Sequence, residues 1–262
     1  RNTSLTPEEK FRFDLEGYLV IQNVLSQQEV QEVNEVVDRI FPRNYDGPEA
    51  DIQAGNAKGV RSGPQISNWD VACQNLIDHP STFPYLVEFL SPKFRLDHDC
   101  SIFMLNGARR GGLHGGQPDR LQNYYRYRDG AMQCGLSVLT YMLPDAGKGD
   151  GRFCCISGSH KSNFRNHIPE DIRRLERLPH YVIQPEVKAG DALFFTEALV
   201  HGTMTWKGDQ ERRALLDKYG PGHIMASPKR YHLDEYSNLI ERQKRILAPA
   251  SVYNRADIEE AL

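Results

Sequence analysis

Two of the nine histidines stand beside predicted strands, where a side chain can be held rigidly. His114 lies in the glycine-rich segment 111–116, directly after an apolar run, and His201 ends the segment that begins at Gly190. Neutral imidazole is a common ligand of transition metals, and a metal site is most rigid when its ligands sit on regular elements. The pattern favours these two histidines as metal ligands.

Short apolar runs rich in β-branched and aromatic residues fill the chain from about residue 100 to 222. They lie at residues 101–105, 136–143, 151–156, 181–187, 192–196 and 214–219. Runs of this length bounded by Gly and Pro predict strands, and their even spacing predicts an all-β barrel or jelly roll. Such a core would bring the ends of distant strands together.

Helical signals flank this β core. Residues 6–9 are typical of a helix N-terminus, residues 26–29 form a capping box, and residues 83–90 predict a further helix. Apolar spacing predicts a C-terminal helix at about 232–247. Residues 46–67 are rich in Gly, Asn and Pro and predict an irregular loop that lines a site.

The chain has no Pro- or Gly-rich linker and no internal repeat, so we expect a single domain over residues 1–262. The helical N-terminal part would end near residue 95. The 39% hydrophobic and 26% charged residues exclude a disordered or fibrous protein, and a formal charge of −3 excludes a strong uniform field for binding nucleic acid polymers.

Five cysteines without a CxxC pair argue against a disulfide framework and favour a reducing compartment. The apolar runs fall far short of the roughly 20 residues that span a bilayer. With no leader pattern at the start of the chain, we expect a cytoplasmic protein and no membrane partner.

Four segments in a fixed order identify a family resemblance. They are residues 13–21 (FDLEGYLVI), residues 155–161 (CISGSHK), residues 190–201 (GDALFFTEALVH), and Arg212, eleven residues after His201. Together they resemble the phytanoyl-CoA dioxygenase family of non-haem Fe(II)- and 2-oxoglutarate-dependent oxygenases. The resemblance implies a mainly β fold with flanking helices, the double-stranded β-helix (jelly roll, cupin-like). It also implies Fe(II) on His114 and His201, with 2-oxoglutarate and O2 as co-substrates.

The resemblance gives Arg212 the distal carboxylate of 2-oxoglutarate, and a planar guanidinium suits that role because it donates two charge-assisted hydrogen bonds. Arg212 and Arg213 are neighbours on a predicted strand and point to opposite faces, so only one can do this, and the register favours Arg212. Thr203 is expected to add a hydroxyl contact, unless it is an ordinary strand threonine. Tyr141 is a further expected cofactor-binding residue.

One position departs from the family pattern. The family carries a carboxylate two residues after the first histidine, where this chain has Gly116. Glycine has no side chain that could bind iron. Asp119, five residues after His114, and Glu197, four before His201, are candidate replacements.

Gly116 allows three interpretations. In the first, which we favour, the open position accepts chloride, because the motif resembles the 2-oxoglutarate-dependent radical halogenases. The enzyme would then chlorinate an unactivated C–H of a freestanding small molecule through a ferryl intermediate. In the second, Asp119, Glu197 or water completes the iron site and the enzyme hydroxylates its substrate. In the third, the protein is an inactive binding relative, which the retention of both histidines and Arg212 argues against.

Cationic and aromatic residues cluster after His114. Arg109, Arg120, Tyr125 and Arg126 are expected to bind the substrate, which would be an anionic small molecule such as a nucleotide or an acyl conjugate. The alternative is that they form a solvated loop and strand edge beside the core.

Overall fold

The protein was analysed as a computed structural model, which describes residues 5–40, 59–116, 121–228 and 230–259. The helices are α1 (Pro7–Glu16), α2 (Gln27–Ile40), α3 (Val71–Gln74), α4 (Phe83–Leu90), α5 (Glu170–Arg173) and α6 (Glu241–Leu247). Short 3-10 turns lie at Ile66–Asn68, Ser159–Lys161, Arg165–His167 and Leu233–Glu235.

The strands outnumber the helices two to one among these described elements. They are β1 (Tyr18–Ile21), β2 (Val60–Pro64), β3 (Arg95–Met104), β4 (Arg110–His114), β5 (Tyr125–Arg128), β6 (Ala131–Cys134), β7 (Ser137–Met142), β8 (Phe153–Ile156), β9 (Val182–Ile183), β10 (Ala192–Thr196), β11 (His201–Thr203) and β12 (Arg212–Gly220). The predicted mainly β fold with flanking helices is confirmed.

Two antiparallel sheets face each other. The larger has the order β1-β10-β7-β12-β3-β2 and the smaller the order β4-β11-β8-β9, while β5 and β6 form a separate hairpin. Phe195 of the larger sheet and Phe153 of the smaller meet in the core between them, with ring centroids 4.8 Å apart. This is the double-stranded arrangement that the sequence predicts.

Alternation along each strand divides the residues between two compartments. On β7, Val138 and Met142 face the smaller sheet, whereas Leu139 and Tyr141 pack in the second core, against the helices. That second core also contains Phe13 of α1 and Phe89 of α4, whose rings stack at 4.1 Å. The helices therefore cover the outer face of the larger sheet and leave the space between the sheets for a site.

The sequence signals for helix starts are accurate. Thr6 and Glu9 form a reciprocal capping box at α1, and Ser26 and Glu29 exchange the same hydrogen bonds at the start of α2. Each pair satisfies backbone N–H groups that the first helical turn leaves without partners. The predicted helix at 83–90 is α4.

Two predictions about the flanks need correction. The first 95 residues also supply β1 and β2, which pair with β10 and β3 at the two edges of the larger sheet. The C-terminal helix starts only at Glu241, and a 3-10 turn and a series of bends occupy much of residues 232–240. Most of the predicted loop 46–67 lies outside the described residues, and its described end forms β2.

All five cysteines are free thiols, and four of them are buried. Over the described ranges, no helix combines the length and the apolar character that a bilayer span requires.

Candidate metal centre

His114 and His201 face each other across two neighbouring strands. The two residues are direct partners in the antiparallel β4–β11 pairing, and their ring centroids are 4.4 Å apart. His201 is buried and His114 is exposed at the edge of the site. Strand pairing thus joins two side chains that are 87 residues apart in the sequence (201 − 114).

Each ring is oriented by a backbone carbonyl. The His114 Nδ1 lies 3.1 Å from the Gly112 carbonyl oxygen, and the His201 Nδ1 lies 2.8 Å from that of Leu199. A carbonyl can only accept, so each Nδ1 carries the proton and each Nε2 keeps a free lone pair. This tautomer is the one that a metal-binding histidine adopts when a second group holds its other nitrogen.

The charge state of His201 also suits a metal. Burial lowers the pKa of His201 to about 4, although the neighbouring Glu197 carboxylate opposes that shift. The imidazole is therefore neutral at neutral pH, which is the form that binds a metal.

The two rings open into a cavity between the sheets with a free volume of about 110 Å³, several times what one ordered water requires. Its polar lining consists of His114, Thr140, Arg152, Glu197, His201, Thr203, Arg212 and Lys218, and the rest is mostly apolar. The cavity therefore combines metal-binding nitrogens with charged groups in a partly dry space, as an active site does.

Glu197 is a buried carboxylate in this cavity. Lys218 on β12 donates a hydrogen bond of 2.8 Å to its Oε1. Burial on its own would raise the pKa of Glu197, but the charge of Lys218 and the nearby histidines hold it at about 2. Glu197 therefore stays ionised, and it is a carboxylate available beside the histidine pair.

Across the described part of the chain, no cluster of three or more His, Cys, Asp or Glu side chains stands ready to hold a metal. Glu197 is engaged with Lys218 instead. Asp119, the other replacement considered from the sequence, lies outside the described residues.

Gly116 does not face the cavity. Its φ of +63° is left-handed, and an added Cβ would lie 2.7 Å from the Ala198 carbonyl oxygen and 2.9 Å from the Arg165 Cδ. Its N–H donates to the Glu197 carbonyl oxygen at 2.9 Å. A carboxylate placed here by substitution would start against the backbone of the 197–200 turn rather than beside the histidine rings.

The neighbouring arginines of β12 lie on opposite faces, as their register requires. Arg212 is buried and lines the cavity. Arg213 turns the other way and forms ion pairs with Glu211 at 2.7 Å and Asp38 at 2.5 Å. Thr203 lines the cavity on the smaller sheet, two residues beyond His201.

The structure corrects the prediction for Tyr141. This side chain is buried in the core under the helices, where its hydroxyl donates to the Leu76 carbonyl oxygen at 2.8 Å. The neighbouring Thr140 faces the cavity instead, because successive residues of β7 alternate between the two faces.

The three described residues of the predicted substrate-binding set do not reach the cavity either. Tyr125 donates to the Asp14 carboxylate of α1, and the exposed Arg126 stacks on Tyr124 at 5.0 Å within the β5–β6 region. Arg109 donates to the Arg174 carbonyl oxygen at 2.6 Å. The alternative interpretation, a solvated loop and strand edge, fits these three residues, and Arg120 lies outside the described residues.

Two charged cavity residues, Lys218 and Arg152, were missed from the sequence. Lys218 shares the even-numbered face of β12 with Arg212 and Leu216, so extending the register argument would have found it. Arg152 precedes β8 and its side chain turns inward, which no periodicity in the sequence indicates.

Comparison with known proteins gives a consistent family. The phytanoyl-CoA dioxygenase family matches residues 13–214. Dioxygenase FUM3 of Gibberella moniliformis is 26% identical over 234 residues, which cover 81% of this chain and 72% of that protein. Dioxygenase olcK of Penicillium canescens is 21% identical, over 86% of this chain and 73% of its own length.

Solved structures of HygX from Streptomyces hygroscopicus share the fold. The form with nickel, 2-oxoglutarate and hygromycin B has a TM-score of 0.72 and 23% identity, covering 98% of this chain and 100% of that one. The iron-bound form has a TM-score of 0.70 and 22% identity, covering 99% and 100%. At this identity the likeness concerns the fold.

Proposed function

Since the chain belongs to the phytanoyl-CoA dioxygenase family, we propose that it is an Fe(II)- and 2-oxoglutarate-dependent oxidoreductase that hydroxylates an unactivated C–H bond of a small molecule. His114 and His201 bind the iron, and Arg212 binds the distal carboxylate of 2-oxoglutarate. The overall change converts R–H, 2-oxoglutarate and O2 into R–OH, succinate and CO2, so the electrons balance between the two substrates.

The observation that carries this proposal is the shared orientation of the two histidines. Both Nδ1 atoms donate to carbonyls, which leaves both Nε2 lone pairs for one ion. The donor set of two neutral imidazoles with oxygen ligands suits Fe(II). When bound, the iron would activate O2, which is the oxidant, and 2-oxoglutarate would supply two of the four electrons that O2 accepts.

The protein's own residues prepare that chemistry. The β4–β11 pairing fixes the spacing of the two rings, so little reorganisation is needed when the metal binds. Arg212 orients the cofactor from the larger sheet, with Thr203 opposite it on the smaller sheet. The apolar residues of the cavity, among them Phe153 and Phe195, limit the access of water to the reacting atoms.

Hydroxylation is favoured over chlorination by two features of the site. A side chain at position 116 would point toward Ala198 and Arg165. The glycine at this position therefore does not by itself open a chloride site beside the iron. Glu197 is an ionised carboxylate in the same cavity. We propose that Glu197 exchanges Lys218 for the iron and completes the ligand set.

Chlorination is the second candidate. It is favoured by the position of Glu197, the third potential iron ligand beside His114 and His201. Among the described side chains, Glu197 is bound to Lys218 and does not complete a three-residue cluster with the histidines. If Glu197 kept that partner, an iron position would be left for chloride.

The substrate is proposed to be a small molecule, because HygX, which shares this fold, has been solved with hygromycin B. The cavity is narrow and its described lining is mostly apolar apart from the polar residues named above. Because the predicted substrate residues Arg109, Tyr125 and Arg126 lie elsewhere, the expectation of an anionic substrate loses the residues on which it was based.

The decisive experiment is an anaerobic crystal with Fe(II), 2-oxoglutarate and bromide. Hydroxylation predicts the Glu197 carboxylate at iron-ligand distance and no anomalous bromine peak next to the iron. A bromine peak bound to the iron, with Glu197 still on Lys218, would establish the halogenase site instead. Absence of iron- and 2-oxoglutarate-dependent succinate release in solution would indicate a binding protein.

A paired comparison of variants tests the role of Glu197 in solution. Glu197→Ala should weaken anaerobic Fe(II) binding by at least tenfold, because it removes the only carboxylate among the described lining residues. Glu176→Ala is the matched control, since Glu176 is exposed. Equal iron affinity in the two variants would remove Glu197 from the ligand set.

A further inference from the structure

Arg152 is a second arginine in the cavity. It directly precedes β8, its side chain is 4% exposed, and it lines the same space as Arg212 and the two histidines. None of the roles assigned above requires a cation at this position.

The contacts of Arg152 leave its charge poorly compensated. One terminal nitrogen donates to the Ala146 carbonyl oxygen at 3.1 Å, and the other lies 3.7 Å from the carboxylate of Glu186. Glu186 is 67% exposed, so solvent weakens that ion pair. The Nε of Arg152 is buried and has no hydrogen-bond partner. A buried guanidinium with an unused donor is costly unless a ligand completes it.

Strand pairing places Arg152 and Arg212 at the same end of the cavity. Phe153, the residue after Arg152, is the direct partner of Thr203. Ala214, two residues after Arg212, pairs with Met142 of β7. From Met142 the chain continues to Ala146, whose carbonyl oxygen accepts the hydrogen bond from Arg152. Both arginine side chains therefore enter the cavity at the end beyond Thr203, which is the end away from His201.

The charged side chains of the described lining favour an anionic ligand. Arg152, Arg212 and Lys218 carry three positive charges, and Glu197 carries one negative charge, which leaves a net charge of two positive (3 − 1). A metal ion held by the histidines would add to this positive charge, so an anionic group such as a carboxylate is favoured in the cavity.

We propose that Arg152 acts with Arg212 as a two-arginine clamp on the distal carboxylate of 2-oxoglutarate. The inference rests on the proposed function and adds a second residue to its cofactor subsite. Two guanidinium groups on one carboxylate give more donors than it needs for a bidentate pair, so they fix its position and select for it. The clamp therefore sets the preference of the site for dicarboxylate 2-oxo acids.

The test compares 2-oxoglutarate with 2-oxopentanoate, which lacks the distal carboxylate. Their affinities are measured by calorimetry on Ni(II)-loaded wild type, Arg152→Met and Arg152→Lys, so that no turnover is needed. Arg152→Met should weaken 2-oxoglutarate binding about 10- to 100-fold and leave 2-oxopentanoate binding unchanged. Arg152→Lys should fall between these values. Arg126→Met, on the exposed hairpin, should bind both ligands as the wild type does.

Each other outcome has a defined meaning. Unchanged 2-oxoglutarate affinity in Arg152→Met would overturn the clamp, and so would an equal loss for both 2-oxo acids, which would make Arg152 a structural residue. If thermal unfolding shows that the Met variant does not fold, the affinity ratio of the two ligands in Arg152→Lys decides the matter. Failure of 2-oxoglutarate to bind the wild type would contradict the proposed function itself.

Discussion

His201 lies directly opposite His114 in the β4–β11 pairing, with the two imidazole centroids 4.4 Å apart. The carbonyls of Leu199 and Gly112 hold the two Nδ1 atoms, so both rings present Nε2 as the free nitrogen. The site therefore depends on the alignment of two short strands.

Arg212 and Arg213 should separate cofactor binding from stability. Arg212→Met is expected to weaken 2-oxoglutarate binding about 10- to 100-fold with little change in unfolding, because the lost contacts are charge-assisted hydrogen bonds to the ligand. Arg213→Met should bind 2-oxoglutarate normally but lose roughly 1–3 kcal/mol of stability, since Glu211 and Asp38 lose a partner. Calorimetry measures the affinity for 2-oxoglutarate, and urea unfolding measures the stability. If Arg213→Met lost the affinity and Arg212→Met lost the stability, the roles of the two arginines would be reversed.

Tyr141→Phe tests whether this side chain belongs to the core under the helices or to the cofactor site. Removal of the hydroxyl leaves the Leu76 carbonyl without this donor, so a stability loss of roughly 1–3 kcal/mol is expected. The affinity for 2-oxoglutarate should not change, because the side chain lies on the helix-covered face of β7. A tenfold loss of 2-oxoglutarate affinity at unchanged stability would return Tyr141 to the cofactor site.

Asp217 should make the protein less stable as the pH rises. Burial and the neighbouring Asp99 raise the pKa of Asp217 well above its ordinary value of about 4, so the folded state keeps a proton that the unfolded state releases. Stability then falls by up to about 1.4 kcal/mol per pH unit above pH 4 until the folded carboxyl ionises.

Asp217→Asn imitates the protonated form and should remove this dependence, which makes the variant more stable than the wild type at pH 7–8. Chemical denaturation across pH 4–8 measures the effect, with the exposed Asp209→Asn as the control. If both variants follow the wild-type curve, Asp217 is ionised in the folded protein.

His160 should contribute a dependence of the opposite sign. Burial is the main cause that lowers its pKa to about 4, and its Nε2–H donates to the Asp14 carbonyl oxygen at 3.0 Å. The unfolded state takes up a proton near pH 6.5, so stability is complete above that pH and declines as the pH falls to 4, by roughly 3 kcal/mol.

In His160→Gln the contribution of His160 to the acid sensitivity between pH 6.5 and 4 should disappear, while that of His201 remains, and the basal stability also changes. His167→Gln, at an exposed site, should keep the wild-type slope. The stability at each pH is read from denaturation midpoints. If it falls equally steeply with pH in wild type and His160→Gln, His160 titrates alike in the folded and unfolded states.

The sequence predicted the parts of the fold that depend on local patterns. Capping boxes at Thr6 and Ser26 and the apolar runs of β7 and β10 are local signals, and the structure contains the elements they predict. β11 is only three residues long and pairs with β4 across 87 residues, so no local pattern could define it. The family resemblance supplied that long-range information for the two histidines.

Side-chain direction was the part that the sequence could not supply. Tyr125 and Arg126 stand close to His114 in the sequence, yet their hairpin turns toward α1 and away from the cavity. Gly116 was interpreted from its residue type alone. Its role depends on its left-handed φ, because a side chain on this backbone would point at Ala198. Such directions follow from tertiary packing rather than from spacing.

Anaerobic Fe(II) binding with 2-oxoglutarate present tests the proposed iron site, measured by equilibrium dialysis on wild type, His114→Ala, His201→Ala and the exposed-histidine control His167→Ala. We expect about one iron per wild-type or control chain and a loss of at least about 100-fold in affinity in the other two, because each removes one of two imidazole ligands. Wild-type iron affinity in either His114→Ala or His201→Ala would rule out the two-histidine site.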